Sequence, residues 1–267
     1  MIITKREFPN HKSYSMEYCG RPLTFETGKI AELCNASVLV RYGETTVLVA
    51  VTASAKPKAG IDYFPLSVDF EEKLYSVGRI PGSFLRREGR PSEKAILASR
   101  LIDRPMRPLF PSDLRNDVVV TCTVLSVDPD CSPEIAAMLG ASAAVSISDI
   151  PFNGPIGGVV LGYVDGKYVF NPTSAERERS QMYVTVAATT EKIVMIEAAA
   201  HEIPEDVMLQ GIIEAHQVIK PVIGLINQMV AEIGKPKFEY EKSTFNEELF
   251  EKIVEKFLPD VEYCMDT

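Results

Sequence analysis

Residues 37–54, SVLVRYGETTVLVAVTAS, restrict the fold more than any other stretch of this chain. Two β-branched runs flank a short turn at Gly43-Glu44. Branched side chains favour an extended backbone, and a tight turn between two such runs makes them antiparallel neighbours. Similar signals recur along the chain. YSMEYCG before Arg21-Pro22 and LTFETG after it form a second expected pair, and YFPLSVDFEEK alternates as a half-buried strand does. DVVVTCTVLSVD is expected as a buried strand. Two further hairpins are expected: IGGVVLGYV with KYVF about Asp165-Gly166, and MYVTVAAT with KIVMIEAA about Thr190-Glu191.

Helical signals are interleaved with these strands. Ser92 offers an N-cap with Glu93 in the first turn, so EKAILASRLID is expected as a helix that Pro105 and Pro108 end or kink. Ser132 caps a second helix with Pro133 at its first position and a face of small residues for close packing. IPEDVMLQGIIEAHQVIKPVIGLINQMVAEIG is expected as two helical stretches split near Lys220-Pro221. The order implies an α+β class with a mixed or antiparallel sheet and packed helices. Composition changes at Gly234. The remaining stretch is charged and carries one amphipathic helix, with Phe250, Ile253, Val254 and Phe257 at helical spacing. One helix cannot bury its own apolar face, so this stretch is expected to begin a further unit of a longer protein.

Composition excludes several function classes. Hydrophobic residues make up 46% and charged residues 24%, as in an ordinary globular chain, and no run approaches the ~18 apolar residues of a membrane span. The start, MIITKREFPN, has no apolar stretch behind its charges, so no secretory leader is expected and the cytoplasm is the expected location. The five cysteines are scattered without a C-x-x-C pair, which argues against a disulfide framework or a zinc site; Cys122 is expected as a small buried hydrophobe. Three histidines, His11, His201 and His216, are poor material for a histidine-based catalyst, and His216 falls in a helical apolar pattern.

Charge supplies the functional signal. The chain carries a net charge of −9, yet residues 79–107 hold eight basic residues (Arg79, Arg86, Arg87, Arg90, Lys94, Arg100, Arg104, Arg107) and three acidic ones, 8 − 3 = +5. A basic island on an acidic body is a focused anion site. Guanidinium forks match phosphate oxygens, and an aromatic face such as that of Phe84 stacks on any base, so Phe84 beside Arg86 and Arg87 on a glycine-rich loop suits sequence-tolerant binding of single strands. Arg100, Arg104 and Arg107 stand at i, i+4 and i+7, and a helix running through the prolines would line them along one anionic path. The competing reading is a solvated arginine face paired with Glu88, Glu93 and Asp103.

The motifs GRIPGSFLRREGRPSE and SRLIDRPMRPLF, with EYCGRPLTFETGKIAELCNASVLVRYGETTVLVAV and PEIAAMLGASAAVSISDIPFNGPIGGVVLGY in support, resemble the polynucleotide phosphorylase family, specifically its first ribonuclease-PH-like core. The resemblance covers residues 10–235, divided into an N-terminal part (10–145) and a C-terminal part (146–235), and residues 236–267 resemble the start of the family's helical linker domain. It implies the ribonuclease-PH-like fold (ribosomal protein S5 domain 2-like) and a subunit of a homotrimeric ring. Such a ring degrades single-stranded RNA from its 3′ end with inorganic phosphate and Mg2+, alone or with RNA-degradation partners. The family's Phe-Phe-Arg-Arg channel loop matches Phe84, Leu85, Arg86 and Arg87, with Leu85 replacing one stacking ring.

The resemblance also implies that the chemistry belongs to a second core outside this chain. The phosphate turn falls at residues 128–133, where Asp128 and Asp130 would repel an anion and Pro133 lacks an N–H. The metal-binding aspartates align with Arg177 and Tyr183, and the lysine with Thr185; Glu176 and Glu178 alternate with Arg177 and Arg179 as a solvated charge run. No catalytic or metal-binding residue is therefore expected here, nor any bound cofactor. Two alternatives stand beside this reading: a self-contained ribonuclease-PH-type enzyme, and a scaffold whose arginines bind acidic proteins or small polyanions such as citrate.

Overall fold

A computed structural model of the chain describes residues 8–82, 84–242 and 246–265. Residues 1–7, on which the expected lack of a leader partly rests, lie outside the described residues. The expected hairpin is the centre of a six-stranded sheet. Strands β1 (Lys12–Tyr18), β2 (Arg21–Thr27), β3 (Ala36–Tyr42), β4 (Thr45–Pro57), β5 (Leu66–Glu72) and β6 (Asn116–Ser126) lie in the order β1-β2-β3-β4-β6-β5. Val38 pairs with Val49 and Val40 with Val47, all four fully buried. The first turn sits at Cys19-Gly20, both with positive φ, rather than at Arg21-Pro22, because Arg21 already opens β2.

All neighbours in this sheet are antiparallel except β5 and β6, which are parallel. Parallel neighbours need a long crossover. Here the crossover contains the arginine loop and helix α1 (Glu93–Met106), which packs on β5. The basic island is thus a product of sheet topology: it is the excursion between two strands that the hydrogen-bond ladder holds side by side.

A second sheet, order β10-β9-β7-β8, is wholly antiparallel and contains β7 (Gly157–Val164), β8 (Lys167–Phe170), β9 (Met182–Ala188) and β10 (Ile193–Ala200). Between the sheets runs α2 (Pro133–Ile147), in contact with β3, β4, β6 and β7. Every residue of α2 except Glu134 is buried, which is why its sequence lacks an amphipathic pattern. Small side chains permit this. A Cβ on Gly140 would lie 2.6 Å from Val40 Cγ2 and 2.7 Å from Val49 Cγ2.

Helix α4 (Glu205–Ile233) covers the second sheet and is continuous through Pro221, not split there. A mid-helix proline removes one hydrogen bond, but Ile219, Val222 and Ile223 beside it are buried, and their packing outweighs that loss. A six-residue helix, α3 (Ser174–Arg179), forms where a solvated charge run is expected. It is nucleated by a capping box in which the Thr173 hydroxyl accepts from Glu176 N while the Glu176 carboxylate accepts from Thr173 N. The amphipathic helix near the C-terminus is α5 (Glu247–Met265). No helix among the described residues is long and apolar enough to cross a membrane.

The glycines of α2 and α4 respond oppositely to a methyl group. Gly140→Ala is expected to lower stability by about 1–3 kcal/mol through overpacking, whereas Gly224→Ala, facing open space in α4, should raise it by about 0.5–1 kcal/mol. Urea unfolding of both variants checks the pair. Burial also pushes the thiols of Cys19, Cys122 and Cys131 up to about 12, from 9.0 when exposed. Between those values the unfolded chain binds fewer protons than the native one, so stability should be intact below pH 9 and fall steadily towards pH 12. Unfolding midpoints that do not move across this range would contradict the burial of these thiols.

Candidate nucleic-acid interface

The arginine loop leaves β5 through a 3-10 turn, Leu74–Val77, closed by Gly78 in the left-handed conformation (φ 71°). It returns to the same turn, where the Glu88 carboxylate accepts a hydrogen bond from Leu74 N at 3.0 Å. The base of the loop is therefore pinned while its tip is free. At the tip Phe84 is 99% exposed and Leu85 69% exposed, and Arg86 holds a positive φ of 50°. The side chains of Arg79, Arg86, Arg87, Arg90 and Arg100 make no hydrogen bond or ion pair among the described residues. Exposed, unpaired guanidiniums next to an exposed ring do not fit a neutralised arginine face. They suit a polyanion with stackable groups.

The three helical arginines diverge. Arg100 is exposed and unpaired. Arg104 reaches across to β10, donating to Ile196 O at 3.3 Å and approaching Glu197 Oε2 at 3.5 Å. Arg107 lies where the helix passes into a 3-10 turn, Arg107–Leu109, and its fork is engaged internally. It donates to both Asp103 oxygens at 2.7 and 2.9 Å, and to Phe64 O and Leu66 O at 3.1 and 3.0 Å. The expectation of three guanidiniums presented to one path is thus revised: Arg107 ties the helix end to the start of β5. The i, i+4 spacing of Asp103 and Arg107 was the sequence signal for this. The Glu88 latch had no comparable signal, because its partner is a backbone N–H fourteen residues away.

The turn at residues 128–133 is closed upon itself. Asp130 Oδ1 accepts from Ser174 N at 2.7 Å, which holds its carboxyl below the usual range, and Asp128 Oδ1 accepts from Asp130 N at 3.0 Å. Arg177 donates to Pro129 O and Pro172 O, bracing α3 against the turn. Ser132 caps α2 as expected, accepting from Ile135 N, and its hydroxyl donates to Glu134 Oε2 at 2.7 Å. The positions aligned with the family's metal site hold Arg177, Tyr183 and Thr185, which offer no carboxylate to a hard cation. Among the described residues no group of three or more His, Cys, Asp or Glu could hold a metal. These residues do not fit Mg2+. His216 is structural: its Nε2 lies 2.9 Å from Thr189 O.

Comparison with known proteins gives this geometry its context. The 3′ exoribonuclease family, domain 1, matches residues 20–151, and domain 2 of the same family matches residues 154–218. The chain belongs to this family. Among curated relatives, the polyribonucleotide nucleotidyltransferase of Ruminiclostridium cellulolyticum is 61% identical over 93% of this chain and 35% of its own length. The enzyme of that name from Clostridioides difficile is 56% identical over 94% of this chain and 35% of its length. The chain thus spans about a third of the length of the curated relatives it matches, while 93–94% of the chain itself takes part in these two matches. A crystal structure of rice (Oryza sativa) Rrp46 superimposes with a TM-score of 0.62 at 12% identity, covering 84% of this chain and 98% of that one. That likeness concerns the fold alone, and it is the ribonuclease-PH-like α+β fold.

Arginines of the two kinds separate in a stability measurement. Arg107→Ala removes a two-oxygen ion pair and two carbonyl contacts, and should cost about 1–2 kcal/mol in urea unfolding after allowance for its partial exposure. Arg86→Ala should change stability by less than about 0.5 kcal/mol. Equal effects at the two sites would remove the distinction between brace and free tip.

Proposed function

We propose that this chain is the RNA-binding and assembly core of a phosphate-dependent 3′→5′ exoribonuclease of the polynucleotide phosphorylase type. The observation that carries the reading is the free loop tip, where Phe84 and Leu85 stand exposed beside the unpaired Arg86 and Arg87 on a pinned base. The partner is single-stranded RNA. Arg86 and Arg87 hold phosphates, Phe84 stacks, Leu85 adds apolar contact, and Arg100 extends the path; Arg104 lies beside it and Arg107 supports it from within. The longer protein acts as a homotrimer in the cytoplasm, alone or with RNA-degradation partners. It uses inorganic phosphate and Mg2+ to release nucleoside diphosphates, or runs in reverse to polymerise them.

In this reading the chain has no phosphorolytic site of its own. Its closed turn at residues 128–133 and the carboxylate-free positions Arg177, Tyr183 and Thr185 support that assignment. The proposed division is 10–145 and 146–235 for the two parts of the core, and 236–267 for the beginning of a helical linker domain. A self-contained ribonuclease-PH-type enzyme would need an open anion turn, and a polyanion scaffold would have no use for an exposed ring at the tip.

Binding of single-stranded RNA across a salt series tests the loop. Arg86→Ala and Arg87→Ala together are expected to weaken affinity and to flatten the slope of log K against log salt by roughly 0.7 per lost phosphate contact. An unchanged slope and affinity would remove the loop from the RNA path. The chain by itself should release no nucleoside diphosphate from RNA and phosphate, and robust release would restore a site here.

A further inference from the structure

The second sheet ends in an edge that nothing among the described residues covers. β10 pairs only with β9, and its residues 196–200 are all exposed. Register fixes which backbone groups point outward, because bonded and non-bonded positions alternate along an antiparallel pair. His201 N donates to Gln181 O, so Ala199 and Glu197 also bond to β9, while Ile196, Ala198 and Ala200 turn their N–H and C=O away from it. Ile196 O fits this phase, since Arg104 reaches it from outside at 3.3 Å. The outward groups of Ala198 and Ala200 make no hydrogen bond among the described residues.

Two other strand edges are guarded. Along β5 the Ser99 hydroxyl accepts from Phe70 N while Arg107 donates to Phe64 O and Leu66 O, and β8 is only four residues long. β10 lacks the devices that keep a strand edge from pairing. From 196 to 200 it has no proline, no lysine and no bulge, and its one charge, Glu197, meets Arg104.

The surroundings select what would seat there. Val184 and Val186 pair with Ala198 and Ile196 and face α4, so Ile196, Ala198 and Ala200 lie on the α4 side of the sheet. Leu209 and Ile213 are exposed on the helical stripe that ends at His216, whose ring meets Thr189 O in the turn joining β9 to β10. A floor of small side chains beside an apolar wall suits alternate apolar residues. Just past β10, Glu202 and Glu205 are exposed and make no ion pair among the described residues. Residues 191–206 hold five acidic residues and one lysine, so a second copy of this edge would set like charge against like, whereas a basic segment would be attracted.

We propose that the β10 edge receives an extended peptide of a partner protein by strand addition. Its alternate apolar side chains pack towards Leu209 and Ile213, and a lysine or arginine at one end meets Glu202 or Glu205. Backbone pairing supplies affinity, and side chains supply selection. This edge is separate from the loop tip and owes nothing to the RNA reading.

Fluorescence anisotropy of the 267-residue chain with a labelled peptide, Lys-Val-Thr-Val-Thr-Val-Lys, tests the proposal. The peptide is expected to bind and to protect the Ala198 and Ala200 amides from hydrogen exchange. Methylating backbone nitrogens on alternate peptide residues distinguishes pairing from adhesion: one set should weaken binding by about tenfold or more, the other should be tolerated. Ala198→Pro removes an outward N–H and leaves the β9 ladder intact, so it should weaken the peptide by about tenfold with an unchanged circular dichroism spectrum. Replacing both Glu202→Gln and Glu205→Gln should weaken it about two- to fivefold and reduce its salt dependence. No binding, equal effects of the two methylated sets, or indifference to Ala198→Pro would each overturn the site. Dimerisation of the chain in competition with the peptide would give the edge to a second copy. Binding to this chain but not to the longer protein would give it to that protein's own remainder, and either result overturns the partner reading.

Discussion

The architecture depends on the burial of α2 on every side. Two sheets and α4 converge on a helix whose faces are almost entirely Ala, Gly, Ser and medium aliphatics, so backbone approaches backbone with little side chain between. Gly140 against Val40 and Val49, and Gly158 against Met138, mark the tightest points. Interiors this dense transmit displacement rather than absorb it. Its C-terminal end is satisfied by Lys237, whose amine donates to the carbonyls of Val145, Ser146 and Ser148. The chain beyond α4 is thereby stitched to the same helix.

From this spine the surface features follow. With α2 fixed, β3, β4 and β6 are fixed, and β5 must join β6 in parallel, so the crossover between them has to leave the sheet. The arginine loop is that departure. Three side-chain links keep its flanks in register: Glu88 to Leu74 N, Arg107 to Phe64 O and Leu66 O, and Lys94 to Glu72 and Glu134. The charged residues of the basic island therefore divide into anchors and free ends.

Much of the fold is legible in the sequence because its signals are local. The β3–β4, β7–β8 and β9–β10 hairpins, the Ser92 and Ser132 caps and the α5 face depend on neighbours within a few residues. What escaped depends on distant partners or on competition. Pro221 looks like a break until the burial of Ile219, Val222 and Ile223 is known, and α3 looks like a charge run until Thr173 and Glu176 close on each other. For the candidate site, the exposed tip follows from composition and turn residues. The engagement of Arg107 does not, since two of its partners are carbonyls some forty residues earlier.

In the proposed RNA reading, the exposed ring and unpaired forks of the loop tip would hold a strand without any contact that distinguishes one nucleotide from the next. A strand held in this way meets nearly the same energy after advancing by one nucleotide as before. Its energy profile along the path is a shallow, repeating ripple, with no deep well at a favoured sequence. Such a holder would resist sideways escape but offer little drag to lengthwise travel, so in that reading the pinned base and free tip would serve as a bearing through which a polymer is drawn.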